Sequence, residues 1–201
     1  MGKRICALMI FLTCFLTACA GGKNEPEELL QQVRGHYLEL SACGGHAEVT
    51  ADYGQRVYTY GIDFTWAREG ETRLVLTAPE NVAGAVAHIE AGETALEFDG
   101  VMLETGALDN AGLTPIDVLP TLLTYAREGF VSACVLEGEE GQKRLRMTCS
   151  DPEKSPGQGV EADLWFDAAA FTLLRGEMSV DGVTVIQCDV TDFMGETVEQ
   201  K

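Results

Sequence analysis

RVYTYGIDFTWA, residues 56–67, decides the fold class of this chain. Apolar and aromatic side chains stand at every second position: Tyr58, Tyr60, Ile62, Phe64 and Trp66. Thr59, Gly61, Asp63 and Thr65 stand between them. A period of two places the five large side chains on one face of an extended strand, whereas a helix would scatter them around its axis. The stretch is therefore a strand with one buried face, and the rest of the chain must supply what covers it.

The same alternation extends to both sides. His46 to Tyr53 alternates through Ala47, Val49, Ala51 and Tyr53, and further strands fit 72–78, 84–90, 94–98 and 101–105, separated by Gly-rich or Asp-Gly turns. Strands resume at 130–137, 143–150, 159–167, 171–180 and 183–192, with DPEKSPGQG (151–159) as the one long loop. Two segments break the period. Pro26 in a first turn rich in glutamate, then Leu29, Leu30, Val33, Tyr37 and Leu40 on one face, predict a helix that Gly44 and Gly45 end. LTPIDVLPTLLTYAREG (113–129) predicts a second, with Asp117 as N-cap, Pro120 in the first turn, Leu119, Leu122 and Leu123 apolar, and Gly129 as C-cap. The expected fold is mainly β (α+β): a curved antiparallel sheet forming a half-open barrel, covered by an N-terminal and a mid-chain helix. It occupies residues 26–193 as one domain, with 194–201 as a polar C-terminal tail.

The first residues give an address. Lys3 and Arg4 precede fourteen apolar or small residues, Ile5 to Ala18, a run of signal-peptide length. It falls short of the about 20 residues that span a bilayer. Leu16-Thr17-Ala18-Cys19 resembles the lipobox of bacterial lipoproteins. That resemblance implies cleavage between Ala18 and Cys19 and a diacylglycerol on the Cys19 thiol, making 1–18 a signal peptide and 19–25 a lipidated tether. The alternative is an ordinary secretory signal with a chance cysteine. On the lipobox reading the protein is extracytoplasmic and held to the cell membrane by Cys19.

Charge limits the partners. The chain carries −18, and loss of Lys3 and Arg4 with no acid takes the mature form to −20. Such a surface repels phosphate backbones and excludes nucleic acid as a partner. It also repels anionic headgroups, so acyl chains rather than a basic patch must hold the membrane. Four of the seven cysteines remain in the mature body: Cys43, Cys134, Cys149 and Cys188. Cys134 and Cys149 fall on neighbouring strands and are the candidate disulfide; free thiols are the alternative. No CxxC or Cys/His zinc spacing is present, so no metal or cofactor is expected.

The order of elements, with TAPENVAGAVAHIEAGETALEFDGVMLETG (77–106) as its central hairpins and LTPIDVLP (113–120) over its mouth, resembles the LolA/LolB lipoprotein-carrier superfamily. It is similar in character to lipobox-bearing relatives from spore-forming Gram-positive bacteria, such as the germination lipoprotein GerS. The resemblance implies one of two functions. A carrier holds acyl chains between sheet and helices, where Tyr58, Tyr60, Ile62, Phe64, Trp66, Leu119, Leu122 and Leu123 are the candidate lining. A GerS-type protein instead supports a cell-wall amidase during spore formation.

No GxSxG, HExxH, P-loop or dinucleotide fingerprint is present, so no catalytic residue is assigned and no enzyme is expected. His36, Glu39 and His46 form a histidine–carboxylate group that fits a solvated helix face better than a site. His88 reads as an outward, satisfied imidazole, and Glu137, Glu139 and Glu140 as a solvated turn. The expectation is a membrane-anchored binding or scaffolding module for an envelope protein, such as a cell-wall hydrolase. The alternative is a module that binds a lipid or other hydrophobic ligand.

Overall fold

The computed structural model describes residues 25–107, 111–139 and 141–197. Helix α1 (Glu25–Glu39) leads directly into β1 (Leu40–Asp52), β2 (Val57–Ala67), β3 (Thr72–Ala78), β4 (Val86–Glu90), β5 (Glu93–Phe98) and β6 (Val101–Ala107). Helix α2 (Val118–Glu128) interrupts the meander. Strands β7 (Val131–Glu137), β8 (Arg144–Ser150), β9 (Val160–Asp167), β10 (Leu173–Val180) and β11 (Val183–Thr197) complete it. They make one sheet in the order β6-β5-β4-β3-β2-β1-β11-β10-β9-β8-β7. Each arm is an up-and-down meander, and the arms join where β1 pairs antiparallel with β11. The sheet does not close, so β6 and β7 are its edges. This is the expected curved, half-open sheet with two helices.

Two boundaries differ from expectation. Gly44 and Gly45 do not end α1; they lie within β1, and α1 stops at Glu39. Their missing side chains serve the sheet. A Cβ on Gly44 would stand 2.9 Å from the Phe64 carbonyl oxygen, and one on Gly45 2.9 Å from that of Thr191. The β1–β11 register shifts between Gly44 and His46, and such bulges sharpen twist and curl. At the other end, residues 194–197 of the expected tail belong to β11, with Met194 opposite Gly44 and Thr197 opposite Leu40. Residues 198–201, like residues 1–24 of the signal and tether, lie outside the described residues, and Glu25, expected as the last tether residue, opens α1 instead.

Arginines secure the helix C-termini, whose last carbonyls have no partner within the helix and carry its negative end. Arg68, from the β2–β3 turn, donates to the carbonyl oxygens of Leu38 and of Leu40, the latter at 2.6 Å. Arg34 of α1 donates to the carbonyl oxygens of Arg127 (3.4 Å) and Gly129, tying α1 to the end of α2. Arg34→Ala should therefore cost about 2 kcal/mol, the scale of hydrogen bonds from a charged group. Urea unfolding checks this, and an unchanged midpoint would show that the tie contributes nothing. At its other end α2 has Asp117 in the N-cap position without a capping bond. The buried Asp117 carboxylate instead accepts from Thr114 N and Thr114 Oγ1, both at 2.7 Å, and fixes the turn before the helix.

Both helices lie on the concave face over the β7–β11 arm. Tyr37 of α1 meets Phe166 of β9 edge-on with ring centroids 5.2 Å apart, and both are fully buried. Leu119, Leu122 and Leu123 of α2 are buried, with Leu145, Met147, Leu164, Leu173, Met178 and Ile186 of the sheet in the same core. The fit is close. A Cβ on Gly176 of β10 would fall among the Leu122 methyls, 2.6 Å from Cδ2. The convex face is polar there: the Arg175 guanidinium stacks 5.7 Å from the Trp165 ring centre and donates to Asp189 (3.2 Å) and Glu177.

Candidate binding surface

Strand β2 carries the predicted face into two different environments. Tyr58, Tyr60, Ile62, Phe64 and Trp66 share one side, in unbroken register with β1. Ile62 and Phe64 are buried, Tyr60 and Trp66 are half-buried, and Tyr58 is exposed. Trp66 is covered from α2, where the Arg127 guanidinium lies 5.8 Å from its ring centre. Tyr58 lies instead in a chain of rings, 6.3 Å from Tyr53 and 6.4 Å from Tyr60. The Tyr53 hydroxyl donates to the Leu113 carbonyl oxygen (3.3 Å), and burial, then its neighbours Tyr60, Asp117 and Tyr58, push its pKa up.

Beyond β2 the concave face becomes progressively uncovered. One cross-strand row runs Phe64, Leu74, Ala87, Leu96 and Leu103. Its first three members are buried, Leu96 is half-buried and Leu103 is 63% exposed. Phe98 and Val101, opposite each other on β5 and β6, are 49% and 70% exposed, and Met102 is 59% exposed. These four residues were not singled out from the sequence as site candidates. The signal was the unalternated run Val101-Met102-Leu103, which leaves apolar groups on both faces of one strand. The other side of this arm is acidic, with Glu90, Glu93, Glu97 and Glu104.

The eight candidate lining residues thus separate. Leu119, Leu122, Leu123, Ile62 and Phe64 are core, Trp66 is half-buried beneath Arg127, and Tyr58 and Tyr60 face the uncovered part. Two recesses lie beside the helices. One of about 560 Å³ runs along α2 past Pro120, Thr124 and Glu128. Another of about 360 Å³ lies at the foot of α1 among Leu29, Leu136, Ala168 and Lys143. Both reach the volume of small-molecule sites, but both are open to solvent, and the one along α2 is lined about equally by polar and apolar groups, unlike the apolar enclosure a lipid chain needs.

The histidines do not gather. His36 packs on Tyr37 and Phe171, and burial lowers its pKa despite Glu39. His46 bonds Asp63 on β2 at 2.7 Å. His88 Nδ1 bonds Glu71, and its Nε2 lies 3.3 Å from Glu97. Glu137 ends β7 rather than lying in the turn; it accepts from Trp165 Nε1 (3.1 Å) and pairs with Arg146, while Glu140 lies outside the described residues. Among the described residues no three His, Cys, Asp or Glu side chains form a metal-ion group, and no helix is long and apolar enough to cross a membrane.

Cys43, Cys134, Cys149 and Cys188 are free thiols here. Cys134 faces Met147 and Cys149 faces Val131, so the candidate pair is diagonal across a register shift. The Cys149 thiol turns to the Tyr125 carbonyl oxygen at 3.9 Å. Burial pushes the Cys149 thiol up to about 11 and the Cys43 thiol up to about 12. Since the thiolate is the nucleophile, half-buried Cys134 should react first with an alkylating reagent at pH 8. Cys43, Cys149 and Cys188 should react only on unfolding. Peptide mapping after timed labelling checks this order, and equal rates for all four would contradict the burial.

No protein-family model matches the chain, and no curated protein matches it. Solved structures do. An uncharacterized conserved protein from Thermus thermophilus is 10% identical over 86% of this chain and 88% of its own, with a TM-score of 0.50. The LolA superfamily protein NE2245 from Nitrosomonas europaea is 11% identical over 86% of this chain and 94% of its own, at 0.45. The complex of the CwlD amidase with the GerS lipoprotein from Clostridioides difficile matches at 13% identity over 87% of this chain and 96% of that chain, at 0.42. At these identities the likeness is one of fold alone.

Proposed function

We propose that this chain is an extracytoplasmic lipoprotein, anchored through a diacylglycerol on Cys19, that binds and supports an envelope protein such as a cell-wall hydrolase. The observation that carries the reading is the seating of α2 on the sheet. Leu122 occupies the space above Gly176 so fully that even a methyl group there would collide. At that point no gap for an acyl chain opens beneath the helix, and the apolar surface left for binding is the β5–β6 arm, which exposes Phe98, Val101, Met102 and Leu103.

The placement of the anchor fits this use. Glu25, the first residue of α1, pairs with Lys143 beside the start of β8 at 2.6 Å. Strand pairing across the sheet puts that end opposite the one bearing Phe98 and Val101. A tether at Glu25 would leave the apolar hairpin facing away from its membrane. The test is chemical cross-linking in intact envelopes, followed by mass spectrometry of the purified adduct. A stoichiometric cell-wall hydrolase is the expected partner; a lipoprotein recovered with no protein adduct under saturating cross-linker would contradict the reading.

A further inference from the structure

Natural sheets guard their edges with lysine, proline, bulges or covering elements, because an unpaired strand is a template for another. Strand β7 lies beside α1, whereas nothing among the described residues pairs with the outer edge of β6. That edge carries Val101-Met102-Leu103, each more than half exposed, and its one charge among residues 101–106 is Glu104. We propose that β6 is a docking strand for an extended segment of a protein partner, with side chains that alternate between apolar and basic. The proposal rests on the partner-binding reading above and names the partner's chemistry.

The register dictates that alternation. A strand added to β6 would extend the concave-face rows that end at Leu103 and Val101, so its inward side chains must be apolar. On the other face it would extend the row Arg73, His88, Ala95 and Glu104, and the row Val75, Val86, Glu97 and Met102. Glu90, Glu93, Glu97 and Glu104 outnumber Arg73 and His88 on that face, and lysine or arginine is the complementary choice. Charge also decides against a second copy. Two mature chains of −20 would bring like acids together along the same edge.

The probes are two capped octapeptides, alternating valine–lysine and valine–glutamate, titrated against the full-length lipoprotein in neutral detergent micelles. Binding is followed by anisotropy and by hydrogen exchange. The valine–lysine peptide should bind, weaken with added salt and slow exchange of the 101–107 amides; the valine–glutamate peptide should not. Leu103→Lys should lower affinity about tenfold or more while leaving the thermal midpoint unchanged, because Leu103 is exposed. Glu104→Lys should shift preference toward the acidic peptide.

Binding that Leu103→Lys leaves intact, protection confined to other strands, or no binding overturns the proposal. So does a dimer of the chain that protects residues 101–107 and is dissolved by Leu103→Lys, which would give β6 to a second copy. The two readings fail separately. If the Leu103→Lys lipoprotein still cross-links to its envelope partner at the wild-type level, the β6 assignment falls and the partner-binding function stands.

Discussion

Phe166→Ala is expected to destabilise the domain by about 3–5 kcal/mol, the cost of losing a buried aromatic side chain and leaving a cavity. Phe166 is fully buried on β9 between Leu145 of β8 and Leu173 of β10, and its ring abuts Tyr37 of α1. No side chain can follow the deletion, because Tyr37 is held by the helix and its neighbours by the sheet. For a domain of this size the thermal midpoint should fall by about 10 °C. Equilibrium urea unfolding of the variant measures the loss. A change below about 1 kcal/mol would mean that α1 does not sit on the sheet as described, since only a loosely covered site forgives such a truncation. Leu103→Lys provides the contrast, because at 63% exposure it should change stability by no more than about 0.5 kcal/mol.

Cys19→Ala should abolish lipid attachment altogether. The basic n-region, the apolar run and the small residues converge on Cys19 alone, so no neighbouring thiol can take over its role. The variant should remain uncleaved by the lipoprotein peptidase and unlabelled by a fatty-acid probe. The energetic consequence is large. Each buried methylene contributes about 0.8 kcal/mol, and two acyl chains convert the marginal hold of one into stable anchoring. Metabolic labelling followed by membrane fractionation is the measurement. Wild-type labelling of Cys19→Ala would remove the anchor and, with it, the orientation proposed from Glu25 and Lys143.

Much of the fold was legible because strand period and burial agree. Ile62 and Phe64 are core as their alternation requires, and the mid-chain helix lies where Leu119, Leu122 and Leu123 announce it. The misread boundary has a physical cause. Leu40 fits both the apolar face of α1 and the first inward position of β1, and two glycines ordinarily end a helix. Only the neighbouring carbonyls of Phe64 and Thr191 reveal that Gly44 and Gly45 are there for close strand approach. Asp117 is similar: its residue type suits a cap, but Thr114 supplies a nearer pair of donors. The exposure of Tyr58 and of β6 was beyond periodicity. Whether an apolar face is covered depends on where the helices lie and where the sheet ends, and both are facts of long-range packing.

On the function proposed above, the protein binds through its surface while its interior is filled by its own side chains. Native mass spectrometry tests it most directly, on a form beginning at Lys23, exported without the acyl anchor and recovered from the soluble envelope fraction. The account predicts a mass equal to the polypeptide alone after buffer exchange. A stoichiometric co-purified lipid that survives exchange would contradict it.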